Sequence, residues 1–299
     1  MTDSLYRLNT EVMTELDASQ VQPVLLYALE GHIDSGLVAG LVISDLLANC
    51  EAKRLATFDA DQLIDYRARR PPMTCGTEGW SGYIRPELVI DLVTDSAGTP
   101  FLMLYGPEPD FRWEAFAQSV LEIVELVDVR LAVGMHGLPR MVPHTRPSLV
   151  HGPGDLEVSA GASPSPGSRL HAPGSAMAMV EFSLREVARE ATTLLADVPS
   201  YLAQVPYARA AVSMLEAIGQ VSGLELSPDR LAEVAEASAK QLDKEVAKVD
   251  DLSRTVKELE QRFDKMHDGQ VGSPKLIANQ MVKDIEAYLA ELPSTQDEA

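Results

Sequence analysis

The sequence predicts an α/β domain of the doubly wound kind, followed by a helical appendage. Three stretches carry that prediction. Residues 24–49, VLLYALEGHIDSGLVAGLVISDLLAN, start with an apolar run of strand length and pass through a glycine-bearing turn. They then place Leu37, Val38, Leu41, Val42, Asp45 and Leu46 at helical spacing, and strand, loop, helix is how such a domain opens. Residues 101–105, 113–127 and 130–135 read as strand, helix, strand, a crossover that implies parallel pairing. Beyond residue 199 every apolar pattern is helical.

Taken in order, residues 1–23 read as an irregular lead-in that ends at Pro23. The first strand and helix follow, and 54–58 (RLATF) is the second strand. Residues 65–72 (DYRARRPP) hold the one basic cluster, and two prolines keep it out of a regular helix. Residues 74–83, with three glycines and Trp80, read as a loop. The apolar runs 88–93 and 101–105 flank Asp95, Ser96, Ala97, Gly98 and Thr99, turn chemistry that predicts a hairpin. The helix over 113–127 turns Phe116, Val120, Ile123, Val124 and Val127 inward, and 130–135 is a buried strand. From His136 to Pro147 the chain reads HGLPRMVPHTRP. Three prolines and a glycine predict a structured loop at the C-terminal end of a strand, where open α/β sheets bind ligands. Residues 148–151 are a short strand, and 159–176, rich in Gly, Pro, Ser and Ala, are a flexible lid or exposed connection. A helix over 177–190 and a last strand over 192–196 complete the alternation.

The helix over 207–221 sets Ala211, Met214, Leu215 and Ile218 on one stripe. Ser227, Pro228 and Asp229 then start one long helix that runs to about 266, with Ser as N-cap and Pro in the first helical position. Its residues Val249, Leu252, Val256, Leu259, Phe263 and Met266 follow in steps of three and four, a seam too short for a confident coiled coil. Asp250, Arg254, Glu258 and Arg262 form a charge ladder on the wet face. A second helix over 274–292 ends the appendage, so the chain divides into a domain, 1–226, and an appendage, 227–299.

Composition narrows the function classes. A net charge of -20 over 299 residues argues against nucleic acid and against an anionic membrane as partners. Two cysteines, Cys50 and Cys75, without CxxC spacing form neither a disulfide framework nor a zinc knuckle and read as reduced thiols. The N-terminal MTDSLYRLNTEV has no signal-peptide pattern, and no apolar run approaches membrane-spanning length. These features predict a cytoplasmic protein.

Three blocks, GHIDSGLVAGLVISDLL, VGMHGLPRMVPHTRP and VPSYLAQVPYARAAVSMLEAIGQVSGL, resemble the proteasome assembly chaperone 2 superfamily, and within it the bacterial, actinobacterial branch. The resemblance covers roughly residues 20–235 and rests on the order and spacing of the blocks. It implies a three-layer α/β/α fold with a mostly parallel mixed sheet, similar to the phosphorylase/hydrolase-like nucleoside phosphorylases, plus the C-terminal helical appendage. It carries no agreed catalytic residues. It implies a protein that assembles with itself, a trimer among the sizes considered, and that engages a protein client.

The candidate site residues fall into three groups. Gly31, His32, Asp34, Ser35 and Gly36 precede the first helix. A nucleophilic Ser35 would need a base within reach, itself oriented by an acid, and residues clustered on one loop rarely provide that; GxSxG is also absent. Capping of the helix by Asp34 or Ser35 is the stronger reading, with anion binding at the helix N-terminus between the two. His136, Arg140, His144 and Arg146, with His151 beyond them, form the densest polar set. Their spacing matches no zinc template, whereas anion binding or a subunit contact suits the arginines. Arg67, Arg69 and Arg70, beside Tyr66, form a basic patch suited to an intersubunit ion pair with an acidic neighbour. No catalytic constellation, metal set or cofactor motif emerges. The favoured function is a non-enzymatic, self-associating chaperone-like or scaffold protein. The alternative is an enzyme or binding protein for a small anionic metabolite, a nucleoside or phosphate compound, in a cleft between loops 31–36 and 136–146.

Overall fold

The computed structural model describes residues 4–31, 34–152 and 173–267. The chain before the first predicted strand is regular rather than irregular. Strand β1 (Tyr6–Leu8) and helix α1 (Thr10–Ser19) precede it. Asn9 starts α1 by accepting the amides of Glu11 at 3.1 Å and Val12 at 3.4 Å. Only Val12 and Leu16 of α1 are buried, so its apolar signal is a single i, i+4 pair.

Strand β2 (Val24–Glu30) leads through a 3-10 turn (Ser35–Leu37) into α2 (Val38–Asn49). Next come β3 (Glu51–Phe58), the one-turn α3 (Ala60–Leu63) and two short strands, β4 (Met73–Gly76) and β5 (Gly79–Tyr83). The last two pair antiparallel in a separate two-stranded sheet, where a loop was predicted. Strands β6 (Val89–Thr94) and β7 (Pro100–Pro107) form the predicted hairpin, and α4 (Trp113–Leu126) crosses to β8 (Leu131–Arg140). Strand β9 (Val150–His151), α5 (Ala176–Glu186), β10 (Ala191–Pro199) and α6 (Ala208–Ser222) follow.

The main sheet has eight strands in the order β1-β3-β6-β7-β2-β8-β10-β9. Its centre, β7-β2-β8-β10, is parallel, with Leu26 opposite Met103 on one side and Val133 on the other. Both flanks are antiparallel. The sheet is therefore mixed, and its parallel part is the buried middle where crossovers place helices on both faces. Leu25, Tyr27, Leu102 and Leu104 point to the face covered by α1, α4 and α5. Val24, Leu26, Ala28, Phe101 and Met103 point to the face covered by α2 and α6. Continuous apolar runs are what strands buried on both faces require, each fully buried Leu, Val or Phe contributing about 1.5–3 kcal/mol. Gly134 leaves room for the ring of Tyr27, since a Cβ there would lie 2.8 Å from Tyr27 Cζ.

The appendage differs from the single long helix the sequence predicts. Helix α7 (Asp229–Val246) and helix α8 (Asp250–His267) are separated at 247–249. Tight turns close α7, with Lys248 N bonding Glu245 O at 3.2 Å and Val249 N bonding Val246 O at 3.1 Å. Asp250 and Asp251 then sit in a new first turn, where acidic side chains favour the helix dipole. Pro228 rather than Ser227 takes the N-cap place of α7, while Ser227 Oγ bonds Asp229 Oδ2 at 2.7 Å. The centre of the seam, Val256, Leu259 and Phe263, is buried, whereas Val249 and Met266 are exposed. The ladder residues Asp250, Arg254, Glu258 and Arg262 are all exposed. The second appendage helix, 274–292, and most of the segment 159–176 lie outside the described residues. Among the described residues no helix is long and apolar enough to cross a membrane.

Candidate functional site

The parallel strands β2, β7, β8 and β10 all end at one rim of the sheet, and most of the candidate residues gather there. Pairing of β2 with β8 stops at Tyr27 opposite Gly134, so the backbone of β8 beyond that point needs other partners. Asp34 supplies one. Its Oδ1 accepts the amides of Gly137 and Ala39, each at 3.0 Å, and its Oδ2 accepts that of Gly40 at 3.2 Å. One side chain thus caps α2 and ties it to β8. Burial pushes the Asp34 carboxyl up, against the opposing pull of these amides.

The turn fits because two glycines make room. Gly36 has φ +68°, and a Cβ there would press on Tyr207 Cβ at 3.0 Å. Its amide bonds Ala203 O at 2.9 Å, and its carbonyl accepts Tyr207 N at 2.8 Å. Gly137 lies beneath the turn, where a Cβ would stand 1.9 Å from Ser35 O. Ser35 is buried, and its hydroxyl makes no hydrogen bond to a histidine or carboxylate among the described residues. Gly31 has φ +142° and lies against Glu108, whose Oε1 accepts the Ala176 amide at the start of α5 at 2.7 Å. His32 lies outside the described residues.

The second group is divided between strand and loop. Residues 136–140 continue β8, paired with β10 up to Arg140 opposite Pro199, where the sequence predicts loop throughout. His136 is on that strand. Arg140 Nε lies 3.2 Å from Asp197 Oδ1, and His151 Nε2 is 3.0 Å from the other oxygen but poorly aligned for a hydrogen bond. His144, buried, meets Tyr201 Oη through Nδ1 at 2.6 Å and Asp243 Oδ1 of α7 through Nε2 at 3.2 Å. Burial pushes the Tyr201 phenol up to about 12. Arg146 grips Asp264 of α8 through two bonds of 2.7 Å and reaches Glu260 at 3.2 Å. The polar loop is thus the seat on which both appendage helices are held. Among the described residues no group of three or more His, Cys, Asp or Glu side chains could hold a metal ion.

The basic patch is divided too. Arg69 turns inward to Asp110 at 2.6 Å and to the Glu108 carbonyl. Arg67 and Arg70 are exposed, as is Arg85, and none of the three has a side-chain partner among the described residues. They border the β4–β5 hairpin, whose Trp80 is 70% exposed, Ile84 beside it 67%, with Met73 and Tyr83 also in solvent. Sequence reasoning missed these apolar residues because three glycines suggested a loop. The available signal was Thr77-Glu78-Gly79, a tight turn between two segments of strand length.

With this geometry in place, the comparisons with known proteins fall into one pattern. The PAC2 family model matches residues 28–246, from β2 to the end of α7. The chain belongs to the PAC2 family. A Mycobacterium tuberculosis protein of unknown function is 34% identical, with TM-score 0.79 over 90% of this chain and 92% of that one. A Corynebacterium glutamicum protein of unknown function is 30% identical, with TM-score 0.78 over 90% of this chain and all of that one. A M. tuberculosis proteasome-assembly chaperone homologue shares the fold at 23% identity, with TM-score 0.68 over 78% of this chain and 99% of that one. No curated protein matches. The PAC2 region includes Asp34, Gly137, His144 and Asp243, whereas Asp264 lies beyond it.

Proposed function

We propose that this PAC2 chain is a non-enzymatic, chaperone-like protein of the cytoplasm that assembles with itself and engages a protein client through its surface. The observation that carries the reading is the β4–β5 hairpin. An apolar surface as exposed as that of Trp80 and Ile84 is characteristic of an interaction site. Residues 66–86 carry four arginines and one glutamate in a chain of net charge -20, so the hairpin is complementary to the acidic surface of another copy. The client role leans on the family and on the likeness to the mycobacterial proteasome-assembly chaperone homologue. In this reading residues 227–299 are an appendage that adds contact surface.

The alternative, a small anionic metabolite held between loops 31–36 and 136–146, has weaker support. The groups that would receive it already face the chain's own acids: the amides of α2 face Asp34, Arg140 faces Asp197, and Arg146 faces Asp264.

Light scattering on the wild type and on a Trp80→Ser, Ile84→Ser double variant tests the reading. A wild-type mass of at least two chains, falling to one chain in the variant, is the expected result. A wild type of single-chain mass at tens of micromolar, or a variant that keeps the oligomer, contradicts it.

A further inference from the structure

A cavity of about 100 Å³ lies between the body of the domain and α7, on the α7 side of His144 and Tyr207, which border the two loops. Its inner wall is Leu202 and Tyr207, and its outer wall is Ala235, Ala239 and Leu242 of α7. The walls are mostly apolar, with Ser238 of α7 among them, and the small side chains of α7 leave the space open. His144 also borders the cavity, but both of its ring nitrogens are engaged, with Tyr201 and Asp243.

Arg209 is different. It lines the same cavity and makes no ion pair or hydrogen bond among the described residues. The other arginines near this rim are held: Arg140 by Asp197, Arg146 by Asp264 and Arg69 by Asp110. A guanidinium without an ion pair or hydrogen bond among the described residues, beside a mostly apolar hollow, matches a molecule with a short hydrocarbon tail and one negative end. We propose that this cavity binds a small aliphatic monocarboxylate, its tail between Leu202 and Ala239 and its carboxylate on Arg209. Size sets the tail. A hollow of about 150 Å³ accepts benzene, so about 100 Å³ accommodates roughly three or four carbons. The guanidinium fork suits a carboxylate, and the absence of a second free cation in the lining disfavours a doubly charged phosphate.

The proposal does not rest on self-association, and its failure would leave the hairpin reading untouched. It also couples ligand to appendage, because α7 supplies one wall. The test is calorimetric titration and thermal unfolding of the full chain with butyrate, beside butyramide and chloride at matched ionic strength. Butyrate should bind saturably and raise Tm, while the neutral amide and chloride should not. In Arg209→Gln, a variant that removes no ion pair or hydrogen bond among the described residues, butyrate binding should weaken roughly tenfold or more. Ala239→Leu, or Ala235→Leu should the first not fold, should fill the hollow and abolish binding. No saturable binding of butyrate, equal binding of butyramide, or unchanged affinity in Arg209→Gln would overturn the proposal.

Discussion

The carboxylate of Asp34 accepts the backbone amide of Gly137 at 3.0 Å, across 103 positions of sequence. The same oxygen takes the amide of Ala39 at 3.0 Å. In doubly wound proteins the N-terminus of this helix is a natural place for an anion. Here the chain's own acid fills that place, and it also fixes α2 to β8. Asp34→Asn leaves one acceptor oxygen for Gly137 and Ala39 but sets an NH2 donor against the Gly40 N–H, and should cost about 1–3 kcal/mol of stability. Urea unfolding measures it. A loss near zero would mean that packing alone holds α2 in position.

The approach of the Ser35 carbonyl to Gly137 gives a second prediction. Gly137→Ala places a methyl carbon 1.9 Å from a backbone oxygen, so strand and turn must separate. The cost should be about 3 kcal/mol or more, with loss of soluble protein as one form of it. Gly76→Ala is the control, because nothing lies within 4 Å of that Cβ. It should change stability by less than about 0.5 kcal/mol. Thermal unfolding of both variants distinguishes a steric requirement from a general preference for glycine.

The contact between Arg146 and Asp264 should hold α8 locally. The pair is part-exposed, at 31% and 50%, so its worth is about 1 kcal/mol or less. In Arg146→Ala, amide exchange should quicken over Val256, Leu259 and Phe263 while β2 and β8 stay protected. Half-molar salt should act in the same direction on the wild type. Unchanged exchange in the variant would show that the buried seam suffices.

Tyrosine ionisation gives a pH prediction. Burial pushes the phenols of Tyr105, Tyr201 and Tyr207 up to about 12, with the Asp91 carboxylate adding to the effect at Tyr105. Unfolded, they titrate near 10. A raised phenol favours the folded state fully below pH 10 and loses that advantage as pH rises from 10 to about 12. Tyr6, Tyr27 and Tyr66 are raised by burial too, so phenolate absorbance should show six of the eight tyrosines titrating late, with stability falling across that window. Titration of all eight near 10 in the folded protein would contradict it.

The parallel centre of the sheet is legible because strands buried on both faces are continuous apolar runs, as at 24–29 and 101–105. Helix α1 is not, since it buries only Val12 and Leu16. Nor is the β4–β5 hairpin, which presents nearly every side chain to solvent and so lacks the alternation that marks a half-buried strand. The polar site was visible as residue types but not as pairs. His144 meets Asp243 across 99 positions, and Arg146 meets Asp264 across 118, so no local spacing connects them. Strand β8 continues through Pro139 because the edge paired with β10 extends beyond the end of its pairing with β2.

The most direct test of self-association through the hairpin uses Trp80 as its own reporter. The chain has two tryptophans, and Trp113→Phe leaves only Trp80 to fluoresce. As this protein is concentrated from nanomolar to tens of micromolar, Trp80 emission should shift to the blue and become protected from iodide. Emission that stays red and fully quenchable over the whole range would contradict the hairpin as the assembling surface.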